Sequence, residues 1–461
     1  MRPYLFNTRD AYKIPHVPAP VVTGYSKMTQ LEKKLKDKSA VIAVVGLGYV
    51  GLPLAAAFAA SGFKVLGVDV QQKRVDLVKR GQSYKAGVDA KLLGKLTRSR
   101  ALTATTDHSE LKRADAVCVC VPTPLTRTRK PDLSHVIYES EQVSRYLRKG
   151  QLIVLESTTF PGTTREVMLP ILEKSGLKAG RDFFLAFSPE RIDPGDGARQ
   201  MRSITKIVGG IDAKSAGLAC LLYRQVADAV LPVSSAEVAE MTKVFENVFR
   251  SVNVALVNEL AQLCDKMGIS VWEVIRAAAS KPFGYMPFYP GPGIGGHSIP
   301  LDPYYLADKA LEYDFHTRFI ELAADINESM PGYVATQITA ALNSRDTSIG
   351  GAGIIVLGAA YKKDVADMHG SPAVKLIQIL QQKGALVSYY DPYIPQILLP
   401  SGAQPSIELD YSSLKEYDCA VIATDHSVFD YKKIVRNSKL VFDARGVTRD
   451  MTAKNIVRLG E

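Results

Sequence analysis

One stretch limits the fold of this chain more than any other. Gly46-Leu47-Gly48-Tyr49-Val50-Gly51 follows directly on the apolar run Val41–Val45 and opens the helix-forming run Pro53–Ala60. A short apolar run rich in valine reads as a buried strand. Gly46 permits a tight turn, Gly48 lets a pyrophosphate approach the backbone, and Gly51 lets the helix lie close on the sheet. The helix N-terminus then offers unpaired N–H groups and the positive end of its dipole to phosphates. Eighteen residues past Gly51, the strand Lys64–Val68 ends in Asp69, where a carboxylate can accept ribose hydroxyls and repel a 2′-phosphate. These spacings predict a dinucleotide fold that takes NAD rather than NADP, with Lys73 and Arg74 close by and Arg74 counted among the cofactor contacts.

The same alternation continues. Asp115–Val121, Leu152–Glu156 and Phe183–Ser188 read as further strands with helical stretches between several of them, which predicts a doubly wound, mostly parallel sheet. Val121-Pro122-Thr123-Pro124 closes the third of the strands read here at the carboxyl edge, where open α/β sheets bind ligands, so Pro122 and Thr123 are expected to wall the cofactor. Ser234 to Met267 holds neither glycine nor proline, has Glu237 three residues after Ser234 as in a capping box, and is followed by Gly268: one long helix. Along it Val238, Met241, Phe245, Val248, Val252, Leu256, Leu260 and Leu263 recur at three and four, which gives a continuous apolar face fit either to span domains or subunits or to lie in an ordinary core. Gly353–Leu357, Leu386–Tyr390, Cys419–Thr424 and Lys439–Phe442 then read as a second set of strands, with Ala373–Lys383 as a helix. The expected fold is two Rossmann-like doubly wound α/β domains joined by a long central helix. Its divisions are a basic extension over 1–37, a dinucleotide domain over 38–212, a central helical region with a catalytic loop over 213–330, and a second α/β domain over 331–461.

Bulk properties exclude several classes. With 461 residues, 46% hydrophobic and 23% charged, the chain can bury more than one core and is neither disordered nor fibrous. The uncharged run from Ala40 to Phe63 holds four glycines and Pro53, which argues against a membrane span. Pro15, Pro18 and Pro20 would break a targeting helix, and five scattered cysteines make no disulfide framework or zinc site, so a cytoplasmic location is expected. Cys118 and Cys120 read as core. The +10 charge is partly a tail property, because eight of the lysines and arginines fall in the first forty residues against three acids. Without a nucleic-acid motif, a basic surface suits a small anionic substrate.

Three polar clusters exceed what packing asks for: Glu156-Ser157-Thr158-Thr159 before Phe160-Pro161-Gly162-Thr163; Ser188-Pro189-Glu190-Arg191-Ile192-Asp193-Pro194-Gly195; and Pro290-Gly291-Pro292-Gly293-Ile294-Gly295-Gly296-His297-Ser298-Ile299-Pro300-Leu301-Asp302-Pro303. Together with Gly46–Gly51 and with Lys243 and Asn247 on the long helix, they resemble the UDP-sugar 6-dehydrogenases of the UDP-glucose/GDP-mannose dehydrogenase family, over nearly the whole chain from Val41 to Gly446. The loops Ser188–Gly195 and Pro282–Gly296 are most similar to the branch that oxidises UDP-N-acetylglucosamine.

The resemblance implies NAD-dependent oxidation of a sugar C6 alcohol to a carboxylate. Two hydrides leave onto two NAD molecules while a cysteine holds the intermediate as a thiohemiacetal and then a thioester. A thiol suits that task because it is partly ionised near neutrality and leaves readily. Here the family's Gly-Gly-His-Cys is Gly295-Gly296-His297-Ser298, and a serine without a base is a far weaker nucleophile, so Ser298 reads as an inactivating substitution. By the same resemblance Lys243 would steady the developing alkoxide and Asn247 would bind the same oxygen. Their i, i+4 spacing puts both on one helix face. Asp302 would move a proton, Glu190 would serve as acid or base in hydrolysis, and Thr158 or Glu156 would position water beside the cofactor.

At the nucleotide end, Leu357-Gly358-Ala359-Ala360-Tyr361-Lys362-Lys363-Asp364 lacks the dinucleotide pattern and resembles the family's UDP-binding segment. Tyr361 and Lys362 would contact the substrate, as would Arg191, Tyr289, Gly293 and Gly295. The family has arginine where this chain has His369. Arg318 matches an arginine that reaches a neighbouring subunit's site, which implies a homodimer or higher homo-oligomer. The expected substrate is a UDP-N-acetylhexosamine, UDP-N-acetylglucosamine first, whose uronate would feed surface polysaccharide such as O-antigen. Alternatives are the galactosamine, mannosamine or glucose analogue, or a non-catalytic NAD and UDP-sugar binder.

Overall fold

The computed structural model describes residues 29–84, 88–126, 128–191 and 202–461. Most of the basic extension, and Ile192 to Gly195 of the second polar cluster, lie outside the described residues.

A short helix α1 (Gln30–Lys36), closed by a capping box between Thr29 and Glu32, leads into the first sheet. Its strands are β1 (Val41–Val45), β2 (Lys64–Val68), β3 (Leu102–Thr105), β4 (Ala116–Val119), β5 (Leu152–Leu155), β6 (Phe184–Phe187), β7 (Lys206–Gly210) and β8 (Val230–Pro232), in the order β3-β2-β1-β4-β5-β6-β7-β8. Pairing is parallel from β3 through β6, and β7 then runs antiparallel to β6 with β8 parallel to it. Helices cover both faces: α2 (Gly51–Ala60) and α3 (Ala213–Tyr223) bury Leu52, Phe58, Leu218 and Tyr223 on one side, and Val136, Val143, Met168 and Leu172 pack on the other. The sheet therefore runs past the expected division at 212, because α3 and β8 pack on it and pair with it. β3, β7 and β8 escape the apolar-run reading because they are short or interrupted by Thr, Lys and Gly.

Helix α4 (Ala236–Met267) ends at Gly268 in the left-handed conformation, as expected. Its N-cap is Ser235, whose hydroxyl accepts the Val238 N–H, rather than Ser234. Glu237 pairs with Arg165 instead of closing a box. The face that α4 buries also differs from the expected stripe. Ala239, Glu240, Val244, Asn247, Ser251, Ala255, Asn258, Ala261 and Cys264 turn inward, while Phe245 is 62% and Leu256 60% exposed, with Val238, Met241 and Leu263 exposed beside them. The reason is the neighbour. Helix α6 (Arg318–Asn343), which follows α5 (Asp302–Leu311), lies against the small residues, where Asn258 bonds Asn327 at 2.9 Å and Asn327 bonds the Ser251 carbonyl at 2.9 Å. Of the expected stripe Val248 is buried and Val252 and Leu260 are partly covered, while the remaining five residues face outward in a single chain.

The second α/β unit has β9 (Gly353–Leu357), β10 (Leu386–Tyr390), a ribbon β11 (Gln396–Leu399) and β12 (Gly402–Pro405), then β13 (Cys419–Ile422), β14 (Val441–Asp443) and β15 (Ile456–Arg458). Its sheet order is β10-β9-β13-β14-β15, all parallel. Helix α7 (Pro372–Gln382) and the end of α6 bury Leu376, Ile377, Val334 and Ile338 on one face, and Leu414, Phe429 and Ile434 cover the other. Two doubly wound units and a long helix between them are thus present.

Candidate active site

The glycine turn has the geometry its sequence asks for. Gly46 sits at φ +86°, and a Cβ on Gly51 would meet the Gly46 carbonyl oxygen at 1.8 Å, so only glycine lets α2 start this close to the turn. A Cβ on Gly48 would meet nothing, which leaves the backbone open to an approaching pyrophosphate. Val50 is the N-cap of α2. Asp69 is buried at the end of β2; its Oδ2 accepts the Leu47 N–H at 2.8 Å and its Oδ1 the Gln71 N–H at 2.8 Å. Arg74 lies 3.2 Å from the same carboxylate, so its charge is directed at Asp69. Oδ1, with one bond, can accept another, so the set fits an NAD ribose held beside a phosphate-binding turn.

Loops at the carboxyl edge are tied to one another. The Thr123 hydroxyl donates to the Thr158 carbonyl at 2.6 Å, and the Thr123 carbonyl accepts the Tyr305 hydroxyl from α5 at 2.5 Å. Pro122, Thr123 and Thr158 thereby form one wall reaching from the first sheet to α5. Glu156 behaves differently from its expected role beside the cofactor. It is fully buried, with one oxygen bonded to Lys206 Nζ at 2.6 Å and the other to the Tyr223 hydroxyl. Lys206 Nζ also lies 3.6 Å from Glu190 and 3.1 Å from the Pro189 carbonyl. Burial pushes Glu156 up, while the two neighbouring carboxylates hold Lys206 above its ordinary value. Neither Lys206 nor Tyr223 was singled out from sequence, because what marks them is a contact across 50 and 67 residues. Arg191, expected on the substrate, forks onto Glu246 of α4, with Nε at 3.0 Å from Oε2, and donates to the Thr205 carbonyl at 2.6 Å.

Facing that edge, α4 and α5 converge. Asn247 Nδ2 donates to Asp302 Oδ2 at 2.5 Å, and Lys243, one turn before Asn247, acts on the same carboxylate. Asp302 is 1% exposed, and burial pushes its pKa up to about 6 against the opposing pull of Lys243 and Asn247. Ser298 stands one turn ahead of it, its carbonyl accepting the Leu301 and Asp302 N–H groups at 2.9 and 2.8 Å. The start of α5 thus directs its positive end at the segment carrying Ser298. Lys243 and Asn247 of α4 are therefore brought to Asp302, Asn247 across 55 residues, with Ser298 one turn before Asp302 along the chain. All five cysteines are buried, so no exposed thiol can stand in for a nucleophile.

On its far side the loop meets the second unit. A Cβ on Gly295 would strike Tyr361 Cβ at 2.6 Å, and Gly293, at φ +127°, would press the Asn327 carbonyl and Pro372 at 3.1 Å. The loop after β9 turns at Gly358, φ +91°, and Asp391 at the end of β10 takes the Ala359 and Ala360 N–H groups at 2.6 and 2.8 Å. Asp391 thus braces the loop carrying Tyr361 and Lys362 much as Asp69 braces the glycine turn of the first unit. Tyr289 is half-exposed and stacked 6.4 Å from Trp272. Arg318 is exposed at the first turn of α6. Among the described residues no cluster of His, Cys, Asp or Glu could hold a metal.

Three family descriptions match in chain order: UDP-glucose/GDP-mannose dehydrogenase family, NAD binding domain, over residues 40–227; central domain, over 237–329; and UDP binding domain, over 355–450. A UDP-N-acetyl-D-glucosamine 6-dehydrogenase of Pseudomonas aeruginosa is 35% identical over 92% of this chain and 95% of its own. One from Salmonella typhi is 35% identical over 84% and 90%. The solved structure of a UDP-D-ManNAc dehydrogenase from Pyrococcus horikoshii superposes with a TM-score of 0.84 at 34% identity, over 91% of this chain and 99% of that one.

Proposed function

Within the UDP-glucose/GDP-mannose dehydrogenase family, to which this chain belongs, we propose that it is an NAD-dependent UDP-N-acetyl-D-glucosamine 6-dehydrogenase whose second oxidation is impaired by Ser298. The observation that carries this reading is the meeting of Lys243 and Asn247 with the buried Asp302, one turn past Ser298, on a loop whose Gly295 packs on Tyr361.

NAD, when bound, accepts the hydride from C6, and the protein must take the hydroxyl proton. Asp302 is an anion above about pH 6 and is the carboxylate of this cluster. Lys243 and Asn247 offer donors to the oxygen as negative charge gathers on it. Burial of Asp302 and the nearby wall of Pro122, Thr123 and Thr158 keep water from competing for those donors. The first oxidation yields an aldehyde. For the second, a nucleophile must add to that aldehyde so that a hydride can leave again, and Ser298 Oγ occupies the place where the family resemblance puts a thiol. An alkoxide is hard to form near neutrality, and an ester is a poorer acyl donor than a thioester, so addition and hydrolysis both slow. Glu190, beside Lys206, is the acid or base of that hydrolytic half.

The exposed apolar face of α4 and the exposed Arg318 support a homodimer in which that face is covered. Five unpaired buried cysteines fit a reducing cytoplasm, and among the described residues no helix is long and apolar enough to cross a membrane. The uronate product would feed surface-polysaccharide synthesis such as O-antigen.

NADH counted with UDP-N-acetylglucosamine and its galactosamine, mannosamine and glucose analogues tests the substrate. Fastest NADH formation with UDP-N-acetylglucosamine is expected, and fastest formation with another sugar reassigns it. The buried cysteines also favour a second reading, a non-catalytic NAD and UDP-sugar binder. It gains if both ligands bind and neither this chain nor Ser298→Cys forms NADH.

A further inference from the structure

Four side chains from three parts of the chain meet beside Ser298. Tyr49 lies inside the glycine turn of the first unit, His297 directly precedes Ser298, and Asp367 and His369 follow the loop that carries Tyr361 and Lys362. Asp367 is their common acceptor. Its Oδ2 accepts His297 Nε2–H at 2.8 Å, its Oδ1 accepts the His369 N–H at 2.9 Å, and the Tyr49 phenol bonds to the same carboxylate. The His297 ring lies flat on His369, centroids 4.1 Å apart at 12°, and tilts against Tyr49 at 5.3 Å. Backbone bonds fix the rest: the Gly296 N–H donates to the His369 carbonyl at 2.8 Å, and the Tyr361 N–H donates to the Asp367 carbonyl at 3.0 Å.

The chemistry of the four groups is matched. Burial and the bonds to Asp367 push the Tyr49 phenol up to about 12, so it stays a donor, and the three donors hold Asp367 below the usual carboxylate range. Burial and the His297 ring hold His369 down, and the ring that bonds Asp367 is that of His297.

We infer that Tyr49, Asp367, His297 and His369 form a clasp that couples the NAD site to the nucleotide-sugar site and sets the position of the Ser298 loop. The inference rests on reading the two loops as NAD-binding and UDP-binding. Tyr49 joins the NAD turn to Asp367 and to His297, while His297 and Gly296 join the Ser298 loop to Asp367 and His369, and none of these contacts lies in the hydrophobic core of either unit. A ligand that orders one loop favours the closed clasp, which orders the second loop before its own ligand arrives. The coupling must be reciprocal, because it is a difference in free energy between the same four states. His369 enters as a flat ring that stacks on His297. Asp367 and His297 are positioning residues in this account, acting on the reaction through the Ser298 loop.

The test needs no turnover. NADH binding is titrated by its fluorescence with and without saturating UDP, for the full chain and for Asp367→Asn, Tyr49→Phe and the double variant. In the unaltered chain UDP tightens NADH by about 5-fold or more, and NADH tightens UDP by the same factor. Asp367→Asn brings the ratio to within about 2-fold of unity, and the double variant loses no more than the single one, since the two groups share one interaction. Tyr49→Phe reports the same loss independently should Asp367→Asn fail to fold. The clasp is overturned if both ligands bind the unaltered chain and neither alters the other, or if a folded Asp367→Asn or Tyr49→Phe keeps the full coupling. Failure of NADH or UDP to bind at all overturns the nucleotide reading beneath it as well.

Discussion

Asn247 on α4 donates its amide to the buried carboxylate of Asp302 at 2.5 Å, across 55 residues of sequence, and in doing so fixes the start of α5 and the Ser298 segment against the long helix. The chemistry proposed here turns on that contact, because Asp302 is the acid whose ionisation the surroundings have moved most usefully.

Asp302 titrates at about 6 instead of its ordinary 3.8. The proposed reaction needs its anion, so kcat/KM for NADH formation rises with pH through about 6 and then levels. Asp302→Asn removes that limb and lowers kcat by about 100-fold or more. A rate profile measured between pH 5 and 8 for both chains checks this. Retention of the limb in Asp302→Asn assigns it to another group.

The same shift acts on stability. A carboxyl whose folded pKa is raised keeps its proton longer in the native state than in the unfolded one. Its contribution is fully present below 3.8 and is lost as pH rises through about 6. A shift of that size corresponds to roughly 3 kcal/mol. Asp302→Asn stays neutral throughout, so its urea midpoint falls less between pH 4 and 7 than that of the unaltered chain. Equal slopes for the two chains contradict the assignment.

Lys206 holds Glu156 at 2.6 Å and Glu190 at 3.6 Å in a buried site. Lys206→Met strands carboxylates that lose their partner and costs about 3–5 kcal/mol. Adding Glu156→Gln to Lys206→Met recovers much of that loss, since a neutral amide carries no charge to strand. Thermal melting of the three variants decides it, and additive losses would refute a charge-based account.

Glu240 of α4 accepts the Gly162 N–H at 2.6 Å, the Thr164 N–H at 2.8 Å and the Thr164 hydroxyl at 2.6 Å, and so locks the turn after β5 onto the long helix. Glu240→Ala leaves these buried donors without an acceptor, at about 3 kcal/mol or more. The urea midpoint drops accordingly, and an unchanged midpoint would mean that water replaces the carboxylate.

The outward stripe of α4 predicts assembly. Phe245→Asp or Leu256→Asp places a charge on a face that is apolar and exposed in one chain, and sedimentation shifts from dimer to monomer. A monomeric unaltered chain removes the prediction's basis.

Local signals were legible from sequence. Gly46, Gly51 and Asp69 stand where spacing put them, because a tight turn, a close helix and an acid at a strand end are short-range demands. The C-terminus of α4 at Gly268 was legible for the same reason. Its N-cap slipped by one residue, since Ser234 and Ser235 are both capable caps and only the hydroxyl's contact with Val238 separates them. What periodicity could not say was which neighbour covers each face of α4. The roles given to Glu156 and Arg191 came from the resemblance, and their partners Lys206, Tyr223 and Glu246 come from distant segments that no local pattern announces.

The most direct measurement counts NADH released per UDP-N-acetylglucosamine consumed by Ser298→Cys and by the unaltered chain. The account predicts about two NADH per sugar for Ser298→Cys, with uronate as product, and far slower turnover that falls short of two for the unaltered chain. Two NADH per sugar at equal rates from both chains would contradict it, as would a Ser298→Cys chain that binds NAD and the sugar nucleotide and forms no NADH.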